Sequence, residues 1–407
     1  MDAVAHGVLA TGAAPPLYDA YRAALAGQAL PLAALDLDAL EENLRRLLAR
    51  SGGLPIRMVT KSIRSVGVLR HLMARSKALQ GLLCFSAREA AWLAGQGFDD
   101  LVVAYPTVEP ADLAAVTAAI TAGGHITLMV DHADQVTILA EHARQAGVVL
   151  PVAIDLDMSS DFPGLYFGVY RSPVRGAADA VALAAAIACR PNLKLDGLMG
   201  YESQIAGLQD AGGAPKTRVI RALKKRSVAE TNARRTDTVA ALRAAGHTLR
   251  FVNGGGTGSF ETTRQDPSVT ELAAGSGLFS PTLFDGYAAW QTVPAAFFAV
   301  AVTRKPRPGM VTCAGGGYVA SGPAGPSRLP APWLPAGCAL VGNEGAGEVQ
   351  TPLRLPPGLD LPLGAPVFFR HAKAGELCER FNELVALQGG AVTSHFPTYR
   401  GNGCCFF

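Results

Sequence analysis

A glycine-rich turn after one of the apolar segments is the first place where the sequence indicates chemistry. Residues 249–252 are followed by Asn253 and then by Gly-Gly-Gly-Thr-Gly at residues 254–258. Glycines leave backbone N–H groups accessible and Thr257 adds a hydroxyl, so the turn suits a phosphate group. No Gly-Lys-Ser/Thr follows, which excludes a P-loop. The alternative interpretation is a flexible turn without a ligand.

The second chemical candidate is Lys61, which follows the apolar segment 56–60. A lysine at the end of a buried strand points into the mouth of a barrel, where desolvation favours the uncharged amine that attacks an aldehyde. A solvated lysine at a strand end fits the position equally well. Pyridoxal phosphate carries an aldehyde for this amine and a phosphate for the glycine-rich turn, so one cofactor accounts for both features.

Short apolar segments alternate with amphipathic segments over the first two thirds of the chain. The predicted strands are residues 31–36, 56–60, 81–85, 101–105, 126–130, 152–157, 193–197 and 249–252, with a ninth near 272–274. The predicted helices are residues 37–49, 65–75, 87–94, 110–122, 133–145, 177–188 and a long one within 216–245. Strands that are apolar on both faces are typical of a parallel sheet covered by helices. Eight such units predict an α/β fold of the (β/α)₈ TIM-barrel type, with the site at the carboxyl ends of the strands. An open doubly wound sheet is the alternative.

The pattern changes near residue 290. Further predicted strands, at residues 296–303, 310–313, 338–342 and 366–370, are not separated by long helices, and Pro and Gly cluster between them. This predicts a barrel domain over residues 1–290 and a smaller, mainly β domain over residues 291–407. Whether the first thirty or so residues join the second domain is left open. Pro330, Pro332 and Pro335 predict an irregular loop in that region rather than a strand.

The sequence resembles the fold-type III pyridoxal-phosphate enzymes, the alanine racemase-like barrels. Within that group it looks most like the D-serine dehydratase and D-threonine aldolase branch. The segments that carry the resemblance are residues 35–43, 57–61, 197–204, 252–258 and 271–276.

The resemblance implies a Schiff base between Lys61 and pyridoxal 5'-phosphate. It implies that Gly255, Gly256 and Thr257 hold the phosphate. The remaining cofactor-binding residues that it implies are Gly275 and Ser276, as helpers at the phosphate, and Tyr201, in the wall of the pocket. Enzymes of this group are commonly dimers with sites near the interface, so a homodimer is expected.

The dehydratase and aldolase branch carries a divalent metal, Zn or Mn, beside the cofactor. The resemblance implies a histidine ligand and a cysteine or aspartate ligand two residues later. The best counterpart is His371, but Lys373 stands two residues on and is no ligand while charged. Cys378 could reach the same ion through a loop, because thiolate and imidazole both suit Zn²⁺. We therefore predict a metal site at His371 and Cys378, with a buried histidine and an inert cysteine as the alternative. His395 is a weaker candidate.

Two further polar clusters are open to more than one interpretation. Asp155 and Asp157 occupy alternate positions and so share one face of a predicted strand, either as an acid–base pair or as structural acids. Residues 216–235 hold eight basic residues and one acid, Glu230, which we interpret as a solvated helix face.

The composition fits a globular chain with large cores, since 49% of the residues are hydrophobic and 17% are charged. A net charge of +3 gives no indication of nucleic acid or an anionic membrane as partner. No apolar segment approaches the ~20 residues of a membrane span. The N-terminus lacks the features of a signal peptide, and the seven scattered cysteines fit reduced thiols. A cytoplasmic protein is expected.

The main functional hypothesis is a pyridoxal-phosphate-dependent lyase whose partner is a small-molecule substrate, a β-hydroxy D-amino acid. It would act either by retro-aldol cleavage, as in D-threonine aldolase, or by dehydration and deamination, as in D-serine dehydratase. An amino-acid racemase of the same fold is an alternative, although it needs a base on each face of the cofactor and only Lys61 is evident. A non-catalytic pyridoxal-phosphate carrier is the alternative from another class, which the large second domain disfavours.

Overall fold

The computed structural model describes residues 16–406. The expectation about the N-terminal residues 1–15 therefore lies outside the described residues. Two assemblies of strands dominate this part of the chain: a closed barrel of eight strands and a nine-stranded sheet.

The strands of the described residues are, in chain order, β1 (Leu32–Asp36), β2 (Ile56–Val59), β3 (Leu79–Cys84), β4 (Leu101–Val103), β5 (Ile126–Val130), β6 (Leu150–Asp155), β7 (Ser160–Phe162), β8 (Leu165–Phe167), β9 (Leu193–Gly200), β10 (Phe251–Gly254), β11 (Glu271–Ala274), β12 (Ala296–Arg307), β13 (Met310–Ala314), β14 (Ala331–Leu334), β15 (Ala339–Leu340), β16 (Gln350–Arg354), β17 (Pro366–Arg370), β18 (Glu383–Gln388) and β19 (Ala391–Pro397).

The α-helices of the same residues are α1 (Leu17–Ala24), α2 (Leu37–Ser51), α3 (Val66–Met73), α4 (Ala87–Gly95), α5 (Pro110–Thr121), α6 (Ala133–Ala146), α7 (Ala177–Ala188), α8 (Ser203–Ala206), α9 (Pro215–Ala244), α10 (Phe260–Thr263) and α11 (Ser276–Phe279).

The barrel closes in the order β10-β11-β2-β3-β4-β5-β6-β9, and its neighbouring strands are parallel. Its interior is filled by apolar side chains from different strands, among them Val102, Met129 and Phe251. The opposite faces of the strands pack against the surrounding helices, which explains why the strands are apolar on both faces. The predicted (β/α)₈ barrel is confirmed.

Helix α2 illustrates how the covering helices are specified. Its N-cap is Asp36, whose Oδ1 accepts a hydrogen bond from the Ala39 backbone N–H at 2.9 Å. The helix ends where Gly52 adopts a left-handed conformation with φ of 65°. Between these ends Leu40 and Leu44 are buried at the four-residue spacing of one helix face, against the barrel.

The second sheet has the strand order β15-β16-β13-β12-β1-β18-β19, with β17 and β14 attached beside β12. It confirms the mainly β C-terminal region. The predicted strand 31–36 belongs to this sheet and not to the series of barrel strands: β1 pairs antiparallel with β12 and parallel with β18. Its two faces are apolar because one contacts the main core and the other contacts a smaller core around Tyr21 and Phe368. The apolar pattern alone does not distinguish these two sheets.

The proline-rich segment of the 330s also differs from the expectation. Residues Ala331–Leu334 form strand β14, whose one partner among residues 16–406 is β17, with a register shift between Pro332 and Leu334. A strand with a neighbour on only one side tolerates a proline, which has no N–H to donate. The domain boundary near residue 290 stays a prediction; β11 ends at Ala274 and β12 begins at Ala296.

The C-terminal sheet packs directly against the barrel. Tyr399 is buried and its hydroxyl donates to Glu89 Oε1 of helix α4 at 2.9 Å. Arg64, which follows the β2 strand, donates from its guanidinium to Glu379 at 2.6 Å. Both contacts bring the C-terminal region to the side of the barrel where β2 ends. Across residues 16–406, no helix combines the length and the apolar character needed to cross a membrane.

Candidate active site

A cavity of about 370 Å³ opens at the carboxyl ends of the barrel strands. The wall of this cavity includes all the residues predicted to bind the cofactor: Lys61, Tyr201, Gly255, Gly256, Thr257, Gly275 and Ser276. The C-terminal region adds Arg328, Lys373 and Ala374 to the wall. The fold thus brings together side chains that lie far apart in the sequence. The individual roles of these residues stay predictions.

Lys61 lies in a 3₁₀ turn, Thr60–Ser62, that directly follows β2. Thr60 is buried and its hydroxyl donates to the Leu83 carbonyl at 3.1 Å, which fixes the turn against the neighbouring strand. Arg64 donates from Nε to the Lys61 carbonyl at 2.9 Å. With its backbone held on both sides, Lys61 extends its amine into the cavity, where Nζ lies 3.5 Å from the Tyr105 hydroxyl.

Tyr105, which follows β4, belongs to a cluster that sequence reasoning did not assign to the site. The Arg171 guanidinium lies 4.8 Å from the centre of the Tyr105 ring and donates from Nε to Asp155 Oδ2 at 2.7 Å. Partial burial acts to raise the pKa of the Tyr105 hydroxyl, but the Lys61 and Arg171 charges outweigh it and lower that pKa. Arg171 comes from a loop without a motif, so no sequence signal identifies it.

The two aspartates predicted as an acid–base pair or as structural acids have separate partners. Burial raises the pKa of Asp155 to about 6, against the opposing effect of its ion pair with Arg171. Asp157 accepts hydrogen bonds from the backbone N–H and the hydroxyl of Ser159, at 2.8 and 2.7 Å. Neither carboxylate is in the cavity wall, so the arrangement favours the structural interpretation.

The glycine-rich turn has the expected position, but two of its amides already have acceptors. Gly255, with φ of +78°, donates from its backbone N–H to Glu202 Oε2 at 2.8 Å. The Gly256 N–H donates to the Ser259 hydroxyl at 3.1 Å. Within residues 16–406, the backbone N–H groups of Thr257 and Ser276 make no hydrogen bond. The Thr257 and Ser276 amides, unlike those of Gly255 and Gly256, are therefore free to donate to a phosphate.

A buried ion-pair network supports the turn from behind. Arg235 of helix α9 is fully buried and donates to Glu202, and through its other terminal nitrogen to Asp266 Oδ2 at 2.9 Å. Thr263 also donates to Glu202, at 2.9 Å. The interpretation of residues 216–235 as a solvated face is therefore wrong for Arg235. A run of basic residues does not reveal that one of them faces buried acids on another element.

Tyr201, which follows β9, lies against the glycine-rich turn. A Cβ placed on Gly256 would come within 3.1 Å of the Tyr201 ring and 3.2 Å of the Ala206 side chain. Burial raises the pKa of the Tyr201 hydroxyl to about 12, so this phenol stays protonated near neutral pH. Gly256 is thus the residue that leaves room for the aromatic ring in the cavity wall.

The cavity fits pyridoxal phosphate. It offers a primary amine on one element and, on others, the free Thr257 and Ser276 amides. The Ser276 hydroxyl lies 2.8 Å from the Ser62 hydroxyl; one donates to the other, and the second leaves one further O–H donor at the same place. An amine for an aldehyde and neutral donors for a phosphate are the two features that the cofactor requires.

The predicted metal ligands, His371 and Cys378, do not form a site that suits a divalent ion. His371 is fully buried, and although its ring nitrogens lack hydrogen-bond partners, it is not in the cavity wall. Burial, with a contribution from the Arg370 charge, lowers the pKa of His371 to about 3. Cys378 donates from Sγ to the Ile63 carbonyl at 3.3 Å, and burial raises its pKa to about 12. His395 lies beside Glu383, on the edge strand β19.

A metal site needs more ligands than these. No group of three or more His, Cys, Asp or Glu side chains suited to a metal ion exists within the described residues. Lys373, two positions after His371, donates from Nζ to the Ser321 hydroxyl at 2.7 Å, so an ammonium group stands where a second ligand is expected. The residues fit the cofactor and do not fit the ion.

With this geometry established, comparison with known proteins identifies the family. Residues 35–281 match the family model described as alanine racemase, N-terminal domain. The chain belongs to this family. The matched residues include every barrel strand and all the predicted cofactor-binding residues.

Two relatives of the family are similar in sequence. The 3-hydroxy-D-aspartate aldolase of Paracoccus denitrificans (strain Pd 1222) is 29% identical over 251 residues, which cover 61% of this chain and 60% of that protein. This chain thus spans about 60% of the length of that relative. A D-threonine aldolase of Arthrobacter sp is 26% identical over 374 residues, which cover 89% of this chain and 90% of that protein.

A solved structure shows the same fold. The D-threonine aldolase from Filomicrobium marinum superimposes with a TM-score of 0.78 at 22% identity, and the match covers 93% of this chain and 96% of that chain. The likeness extends over the barrel and the C-terminal sheet together.

Proposed function

We propose that this protein is a pyridoxal-phosphate-dependent lyase that acts on β-hydroxy D-amino acids. The proposal rests on one observation: the Lys61 amine and the free Thr257 and Ser276 amides lie in the same cavity. The relatives named D-threonine aldolase and 3-hydroxy-D-aspartate aldolase support a lyase over a racemase. Retro-aldol cleavage and dehydration both remain within the proposal.

The cofactor, when bound, supplies an electron sink for the bond that breaks at the substrate Cα. The protein's part is to hold the reactants and move protons. Lys61 is proposed to bind the cofactor's aldehyde and, once the substrate amine displaces it, to hold and move a proton at Nζ. Thr257, Ser276 and Ser62 are proposed to hold the phosphate, which fixes the cofactor relative to Lys61.

Tyr105 is the second group placed to move a proton. Its hydroxyl is within reach of Lys61 Nζ, and the neighbouring cations lower its pKa, which favours proton exchange with a lysine amine. Arg171 fixes the ring of Tyr105 from one side, and Asp155 fixes Arg171. We propose that Tyr105 exchanges its proton with Lys61 or with the substrate hydroxyl.

A non-catalytic carrier would need a site for the cofactor alone. Against it, the C-terminal region extends the cavity wall beyond the lysine and the glycine-rich turn, with Arg328 and Lys373. Charged side chains beyond the cofactor site favour a place for a substrate.

We also propose a cytoplasmic homodimer. The support is the family resemblance for the dimer and, for the compartment, seven cysteines that all lack a disulfide partner. Size-exclusion chromatography with light scattering tests the dimer, and a monomer at working concentrations would contradict it.

The experiment that tests the function offers the holoprotein D-threonine, D-serine and 3-hydroxy-D-aspartate, with the L-isomers as controls. We expect glycine and an aldehyde, or ammonia and an oxoacid, from D-isomers alone, and no product from Lys61→Ala. Inverted amino acids without cleavage products would instead indicate a racemase. An unchanged substrate and an unchanged cofactor spectrum would indicate a carrier.

A further inference from the structure

Two cationic side chains from the C-terminal region face the cavity and have no role in the proposed chemistry. Arg328 ends the 3₁₀ turn Pro326–Arg328, and Lys373 lies three residues beyond the end of β17. Both are in the wall of the cavity that contains Lys61.

The guanidinium of Arg328 lacks an acceptor. Within residues 16–406 it makes no hydrogen bond or ion pair, and its Nε is buried without a partner. It lies close to Gly322, where a Cβ would be 3.2 Å from Nε, so the backbone of its own loop limits where the guanidinium can go. A buried charged donor without a partner is unfavourable, and an anionic ligand in the cavity would remove that cost.

Lys373 is held near Arg328 by the same loop. Its Nζ donates to the Ser321 hydroxyl at 2.7 Å, and the charges that act on it come from Lys61, Arg328 and Glu376. The Glu376 carboxylate accepts from the Ser321 backbone N–H at 3.1 Å and forms no ion pair with Lys373 within the described residues. Burial lowers the pKa of Lys373, and an anion that approaches its amine opposes this shift and favours the charged form.

The charges around the cavity can be assigned one by one. Arg171 is paired with Asp155, Lys61 is proposed to bond to the cofactor's aldehyde, and the phosphate is assigned to Thr257, Ser276 and Ser62. Within the described residues, Arg328 and Lys373 are the remaining basic side chains of the wall, and no carboxylate is bound to either. The α-carboxylate of a monocarboxylic amino acid supplies a single negative charge, so a second carboxylate on the substrate matches the site better.

We propose that Arg328 and Lys373 bind a side-chain carboxylate, which makes dicarboxylic β-hydroxy D-amino acids the preferred substrates. The proposal rests on the proposed function for the identity of the reacting amino acid. Arg328 supplies a planar pair of donors suited to a carboxylate, and Lys373 supplies a point charge beside it. The family resemblance assigns neither residue to the site.

The test measures binding of D-aspartate and D-asparagine to the holoprotein by calorimetry. Both lack the β-hydroxyl group, and they differ only by the replacement of one side-chain carboxylate oxygen by an amide nitrogen. We expect D-aspartate to bind at least tenfold more tightly, as for a charge-assisted pair of hydrogen bonds. Equal affinities in the wild type would overturn the proposal.

The variants Arg328→Met and Lys373→Met should each remove most of this preference while leaving D-asparagine affinity unchanged. Lys373→Arg should retain it, and Arg328→Lys should retain part of it, which covers the case in which a methionine variant fails to fold. Lys305→Met is the matched control, because this exposed lysine of β12 pairs with Asp360. An equal loss for both ligands would mean that the cations bind the α-carboxylate, and the substrate class would be wrong.

Turnover separates this proposal from the proposed function. With 3-hydroxy-D-aspartate as substrate, Lys373→Met should raise KM at least tenfold and leave kcat within a few-fold. If the holoprotein prefers D-aspartate but cleaves or dehydrates none of the β-hydroxy D-amino acids, the lyase function fails and the carboxylate site stands. If it turns over D-threonine and 3-hydroxy-D-aspartate with equal KM, the carboxylate site fails and the lyase function stands.

Discussion

The amine of Lys61 and the hydroxyl of Tyr105 lie 3.5 Å apart, although they follow two different strands of the barrel. Their backbones follow the neighbouring strands β2 and β4, which both pair with β3 in parallel. The distance is therefore set by the barrel itself and not by a flexible loop. This relationship distinguishes Tyr105 from Tyr201 and Tyr287, two further tyrosines of the wall, whose pKa values shift in the opposite direction.

The Tyr105→Phe variant tests the proton-transfer role. It removes the hydroxyl and keeps the ring that contacts Arg171. We expect kcat to fall about 100-fold, the size typical of a lost acid–base group, with cofactor content and KM nearly unchanged. Steady-state kinetics and the cofactor absorbance measure both effects. A kcat within twofold of the wild type would remove Tyr105 from the mechanism.

The Glu202→Gln variant tests the support of the glycine-rich turn. The substitution leaves Arg235 buried with Asp266 as its remaining anionic partner. Breaking one side of a buried ion pair costs about 3 kcal/mol, so the melting temperature should fall and the cofactor should dissociate more readily. Glu230→Gln is the control on helix α9, since Glu230 is an exposed partner of Arg234 and not a buried acid. If both variants melt alike, the network does not support the turn.

The buried carboxyl of Glu89 makes the stability of the folded protein depend on pH. Burial raises the pKa of Glu89 to about 7, although hydrogen bonds from the Phe85 backbone N–H and the Tyr399 hydroxyl oppose the shift. A carboxyl whose pKa is raised by folding contributes stability that is present below its unfolded pKa, near 4.5, and is lost as the pH rises through 7. The difference corresponds to about 3 kcal/mol.

Thermal unfolding of the wild type and of Glu89→Gln, from pH 4 to pH 8, measures this effect. Because glutamine does not titrate, the stability of the wild type relative to the variant should decline with increasing pH. Glu141→Gln, on the exposed face of α6, should show no such trend. A wild type that gains stability relative to Glu89→Gln toward pH 8 would contradict the assignment.

Metal removal is expected to have no effect on activity. Lys373 stands two residues after His371, and an ammonium group repels a divalent ion. Prolonged dialysis against a chelator should leave kcat unchanged, and elemental analysis should find less than one equivalent of Zn or Mn. Activity that is lost with the chelator and returns with Zn²⁺ or Mn²⁺ would restore the His371 and Cys378 site.

The barrel could be predicted because each of its strands is a short apolar segment followed by a helix. Lys61 and Thr257 could be placed at its mouth because the carboxyl ends of parallel strands share one edge. The assignment of β1 could not be made, since a strand between two cores is as apolar as a barrel strand. Pattern alone shows which residues follow a strand but not which sheet the strand joins.

Three arginines in and around the site could not be identified from the sequence, and the physical reason is the same for each. Arg171 comes from a loop, Arg328 from a short 3₁₀ turn, and Arg235 from a helix with many basic residues. Arg171 and Arg235 pair with acids that are distant in the sequence, whereas the Arg328 Nε has no partner within the described residues. Local spacing carries no information about such partners. The same applies to the Gly255 and Gly256 amides, whose acceptors became evident only from the folded turn.

The central claim is the covalent bond between Lys61 and the cofactor, and reduction of the holoprotein with borohydride tests it most directly. Mass spectrometry of the digested protein should find the pyridoxyl group on the peptide that contains Lys61. Lys373 is an internal control, because its amine faces the same cavity. A pyridoxyl group on Lys373, or an unmodified Lys61 in protein that was yellow before reduction and was bleached by it, would contradict the account.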